Sequence, residues 1–112
     1  MTYEEITTQE QWSEALQQSD SRPLVVFKHS TTCPVSANAH EEFSNYLKDN
    51  PRNDVNYVLV KVIESRPVSN QIAEDTGVKH ESPQIIYIDK KAKVWTASHW
   101  SVTKAHISAV LD

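Results

Sequence analysis

Two stretches of this chain read as central strands, Leu24-Val25-Val26-Phe27, apolar at every position, and Val55 to Ile63, rich in Val and Ile, and each is followed by a segment with helical spacing. A strand that is apolar on both faces must be covered on both faces, so it belongs in the middle of a sheet with helices above and below. The first strand is expected over Leu24 to Lys28. Behind it, Pro34 to Lys48 carries Val35, Ala39, Phe43, Tyr46 and Leu47 along one helical stripe. Val55 to Ile63 leads to Ser65-Arg66-Pro67, which opens a further helix with Pro67 near its first position, where a missing N–H is harmless. Gly77, the only glycine in the chain, suits the left-handed position after that helix.

The remaining segments complete an alternating pattern. Thr7 or Thr8 caps a helix over Gln9 to Gln18, with Trp12, Ala15 and Leu16 on one face, and Arg22-Pro23 breaks it. Asn50-Pro51-Arg52-Asn53-Asp54 reads as a turn. Ile85 to Asp89 and Lys93 to Ser98 are expected to form an antiparallel hairpin around Lys90-Lys91-Ala92. Thr103 caps a last helix through Leu111, with Ile107, Val110 and Leu111 facing inward. With a weak strand near Tyr3 to Ile6, the order is (β)αβαβαββα. This is an α/β chain with helices on both faces of a central sheet, and 112 residues make one domain, residues 1–112.

Composition removes several classes of function. One cysteine cannot form an internal disulfide or a zinc site with several thiolates. The acidic start, Met1-Thr2-Tyr3-Glu4-Glu5, lacks an export pattern, and no apolar run is long enough to cross a bilayer, so a cytoplasmic location is expected. With a net charge of -4 and no basic run beyond Lys90-Lys91, nucleic acid and anionic membrane are poor partners. A single glycine nearly excludes a phosphate-cradling loop.

The cysteine lies in Ser30-Thr31-Thr32-Cys33-Pro34-Val35-Ser36, between the first central strand and the next helix. With Cys33 at the N-cap and Pro34 at the first helical position, the sulfur lies near the free N–H groups of Val35 and Ser36, which favour an anion. A helix start contributes up to about 2 kcal/mol to a partly buried charge. Thr32, Pro34, Val35 and Ser36 are therefore expected to stabilise the thiolate, Ser36 through its hydroxyl as well. Cys33 is the candidate nucleophile. An acidic thiol also leaves readily when a second thiol attacks its mixed disulfide, which favours turnover.

Cys33 at a strand-to-helix junction, Thr76-Gly77-Val78 after the third helix, and Ser82-Pro83 before the strand Gln84-Ile85-Ile86-Tyr87-Ile88 together resemble the thioredoxin fold over nearly the whole chain. That fold carries a mixed sheet, and the resemblance implies that Pro83 is cis and faces the reactive cysteine. More narrowly, Lys28-His29-Ser30-Thr31-Thr32-Cys33-Pro34-Val35-Ser36, Glu64-Ser65-Arg66-Pro67-Val68-Ser69-Asn70 and Ser82-Pro83-Gln84 resemble the YtxJ-type family of monothiol bacilliredoxins. This likeness implies a thiol-disulfide oxidoreductase that removes bacillithiol from mixed disulfides on client proteins. Bacillithiol would be co-substrate, with no tightly bound cofactor, and a free low-molecular-weight thiol would resolve the Cys33 adduct. Ser82 and Pro83 would hold the adduct through the main chain, and Arg66 would pair with a carboxylate of the thiol ligand. The stretch from Gly77 to Pro83 is a residue longer than in common thioredoxins.

Other readings compete. Ser30-x-x-Cys33-Pro34 faintly resembles a peroxidase motif, but Val26 stands where that motif has proline. A non-enzymatic stress protein that senses redox state or ligates an iron-sulfur cluster is a third reading; single-thiol glutaredoxins carry glycine and an aromatic where this chain has Pro34 and Val35. Lys28 and His29 are positive groups near Cys33, but strand alternation points them to opposite faces. The histidines His29, His40, His80, His99 and His106 lack metal-ligand spacing, and Trp12, Trp95 and Trp100 read as packing aromatics.

Overall fold

A computed structural model describes residues 2–112. The chain forms β1 (Glu4–Glu5), α1 (Gln9–Gln18), β2 (Leu24–His29), α2 (Pro34–Lys48), β3 (Asn56–Lys61), α3 (Arg66–Thr76), β4 (Gln84–Asp89), β5 (Ala92–Ser98) and α4 (Lys104–Leu111), with a short 3-10 turn at His99–Ser101 before α4. The sheet order is β1-β3-β2-β4-β5. β1, β3 and β2 run parallel, whereas β4 is antiparallel to β2 and β5 to β4. Reading the αβ alternation alone makes β4 parallel. The long loop after α3 instead delivers the chain to the sheet end where β2 finishes, and β4 starts there.

β2 is central, as its unbroken apolar run requires, and period-two alternation divides its side chains between two cores. Val25 and Phe27 join Ala39, Phe43, Tyr46 and Leu47 of α2 and Ile107 and Leu111 of α4. Leu24 and Val26 join Trp12 and Ala15 of α1 and Val68 and Ile72 of α3. Lys28 continues the second series and is fully buried; His29 continues the first and is half-buried.

Local signals set the boundaries. Thr8 caps α1 in a reciprocal box with Gln11, and the Thr103 hydroxyl accepts from the His106 N–H at 3.1 Å. Gly77 ends α3 with φ 71°. The β4–β5 turn puts Lys90 and Lys91 at φ 52° and 66° without a glycine. Buried Ser19 holds that turn in place: its carbonyl accepts from Lys90 N–H and its hydroxyl from Lys91 N–H. Among the expected inward residues, Val110 is only partly buried and Trp100 is 66 % exposed.

Candidate active site

Cys33 is the N-cap of α2, in extended backbone (φ −107°, ψ 124°), and Pro34 opens the helix. The turn before it is closed by its own backbone. Cys33 N–H donates to the Ser30 carbonyl at 3.3 Å, and the Cys33 carbonyl accepts from Ala37 N–H at 3.0 Å. The thiol is free and half-buried. No side chain caps the helix, so the N–H groups of Val35 and Ser36 have no intrahelical acceptor and lie at the terminus that Cys33 starts.

Ser36, not Val35, belongs to the buried stripe of α2, and Val35 is half-buried. A hydroxyl is tolerated there because it is satisfied twice. Ser30 N–H donates to Ser36 Oγ at 2.9 Å, and Ser36 Oγ lies 2.7 Å from His29 Nδ1. Burial, with the nearby His40 and Lys61, holds His29 below the usual imidazole range, against the opposing pull of Glu64. Ser36 Oγ and neutral His29 Nδ1 share one proton across this contact, and the imidazole tautomer sets which of the two donates. The His29 ring stacks on His40 at 4.9 Å, and His40 Nε2 is 3.0 Å from the Tyr3 hydroxyl. Thr32 is exposed, its hydroxyl 3.5 Å from that of Ser30, and Thr31 donates to Glu64 at 3.1 Å.

The second half of the site comes from β4. The Ser82–Pro83 peptide is cis, Pro83 is buried and Ser82 is half-buried. Gln84 pairs with Lys28 across β2 and β4, so Pro83 sits at the sheet end where β2 runs out into the Cys33 turn. The Pro83 carbonyl accepts from His99 N–H at 2.8 Å, and the His99–Ser101 turn packs on α2. Arg66 is the first residue of α3, exposed and without an ion pair among the described residues.

A family model described as monothiol bacilliredoxin BrxC matches residues 4–107. The chain belongs to the BrxC monothiol bacilliredoxin family. Solved structures share its fold. A candidate oxidoreductase with a thioredoxin fold is 29% identical over 98% of this chain and 94% of its own, with a TM-score of 0.85. Fasciola hepatica thioredoxin (14% identity, 96% and 95% covered, TM-score 0.74) and Schistosoma mansoni thioredoxin (17%, 99% and 96%, TM-score 0.76) share the fold. This BrxC-family chain is thus a thioredoxin-fold oxidoreductase with a single cysteine.

Two features of the bacilliredoxin site escaped the sequence reading. Lys28 lies beneath the loop before Pro83, where it bonds the Ser69 carbonyl and meets His80. Its signal was available: a lysine in phase with Leu24 and Val26 on a strand covered on both faces. The pairing of His29 with Ser36 had none, since Val35 and Ser36 both fit the helical stripe and the sequence does not say which of them faces the end of β2. No described helix is long and apolar enough to cross a membrane.

Proposed function

We propose that this protein removes bacillithiol from mixed disulfides on client proteins in a monothiol cycle. The Cys33 thiolate attacks the bacillithiol sulfur of the client disulfide; that S–S bond breaks, the client cysteine leaves as thiolate, and a Cys33–bacillithiol disulfide forms. A free low-molecular-weight thiolate then attacks the bacillithiol sulfur of the adduct. Cys33 leaves as thiolate and a small-molecule disulfide is released.

The observation that carries this reading is a half-buried lone thiol at a helix N-cap, followed at the next inward position of that helix by a serine. A serine cannot expel the adduct, so the second thiol must come from solution. Thr32 and the amides of Val35 and Ser36 favour the thiolate, Ser82 and Pro83 hold the adduct by main-chain contact, and exposed Arg66 pairs with a bacillithiol carboxylate. The test uses a bacillithiolated client protein and follows the appearance of its free thiol. One client thiol should be released per Cys33 without added small thiol, and many in its presence. Release at the uncatalysed rate would sink the reading.

A further inference from the structure

The loop from Gly77 to Pro83 has few main-chain anchors. Beyond the helix-ending bond of Gly77 to Ala73 and that of Pro83 to His99, its described backbone makes no main-chain hydrogen bond. What holds its middle is a set of side chains from elsewhere in the fold. Gln84 Nε2 donates to the Lys79 carbonyl at 3.0 Å. Lys28 Nζ lies 3.3 Å from His80 Nδ1 and donates to the Ser69 carbonyl at 3.1 Å. The Ser69 hydroxyl lies 3.3 Å from the same His80 nitrogen. Lys28 and Gln84 are directly opposed on β2 and β4, so a pair of buried residues on one face of the sheet grips Lys79 and His80 together.

A fully buried lysine is costly unless its ammonium is well hydrogen-bonded, and an apolar residue at position 28 would complete the series of Leu24 and Val26 at no such cost. We propose that Lys28 is a positioning residue for the exchange reaction: through His80 it fixes the loop that presents Ser82 and Pro83 beside Cys33. The inference rests on the exchange reading above and identifies what holds the substrate-facing half of that site. Because an ammonium only donates, His80 must be neutral with its proton on Nε2. Burial, Lys28 of β2 and Arg66 of α3 all hold His80 below its usual range, and Glu81 opposes them. Acid that protonates His80 removes the acceptor and sets two cations against each other.

The test compares Lys28→Met, which keeps the packing volume, with His80→Ala, which changes an exposed residue and leaves the core intact. Three readouts are taken: trypsin cleavage after Lys79, alkylation of Cys33 by iodoacetamide, and release of thiol from a bacillithiolated client. Both variants should be cleaved about tenfold faster than wild type and release client thiol about tenfold more slowly, with alkylation within twofold. Client release relative to alkylation should fall in wild type as the pH drops below 6.5, the usual imidazole value, and stay level in His80→Ala. Unchanged cleavage, or alkylation falling in step with client release, overturns the proposal. If wild type releases no client thiol while both variants expose Lys79, the exchange reading fails and the anchoring of the loop stands.

Discussion

The segments Ser30–Ser36 and Val78–Gln84 meet at the same end of the sheet, one bearing the thiol and the other the cis proline. They are built in opposite ways. The thiol segment is a strand end, a turn closed by its own backbone and a helix start with proline in place, and its partners lie mostly within seven residues. The proline segment has one local tie, Gln84 to the Lys79 carbonyl, and otherwise depends on residues farther along the chain, Lys28 from 52 positions away and Ser69 from 11. A site of this kind can keep its nucleophile fixed by local chemistry while the surface opposite is set by long-range packing, so the two halves should respond separately to substitution.

The largest expected effect falls on the locally built half. Cys33→Ser should abolish client thiol release while leaving the unfolding midpoint nearly unchanged, since a half-buried sulfur is exchanged for a hydroxyl of similar size. Loss of the fold instead would mean that the thiol segment is not self-supporting.

Next comes the pH dependence of the long-range half. Burial lowers Lys28 to about 8 from a usual 10.5. Between those values the unfolded chain binds more protons than the folded one, so this residue makes stability rise with pH through that window, and its burial penalty is present in full below about 8. Urea unfolding should show the stability of wild type relative to Lys28→Met increasing from pH 8 toward 10.5. A constant difference would contradict a buried, charged lysine.

Ser36→Ala sharpens the contrast from the other side. It strands the buried Ser30 N–H and His29 Nδ1, at a cost of about 1–3 kcal/mol in urea unfolding, yet it should leave Lys79 as resistant to trypsin as in wild type. Gly77→Ala has space for a Cβ but a φ of 71°, so a loss of about 1 kcal/mol is expected. Removing the α1 cap with Thr8→Ala should cost about 1 kcal/mol or less and touch neither half of the site.

The same contrast explains what could be read from the residues. α1 and α2 fall where capping and proline place them, because those signals act within a turn of the chain. The Cys33 turn was legible for the same reason. The direction of β4 was not, because it depends on where a loop without regular structure delivers the chain. Nor was the choice of Ser36 over Val35 for the buried stripe: both fit helical spacing, and the decision lies with His29 and the Ser30 amide. Lys28 divides the two cases: its burial was readable from its phase with Leu24 and Val26, but its acceptors come from α3 and the loop, and the strand around it implies neither.

The measurement that bears most directly on the monothiol cycle is the intact mass of reduced protein after exposure to bacillithiol disulfide. One bacillithiol should be added, mapped to Cys33, and it should persist until a free small thiol is supplied and then disappear. An unmodified protein, or an adduct shed with no thiol added, would contradict the account.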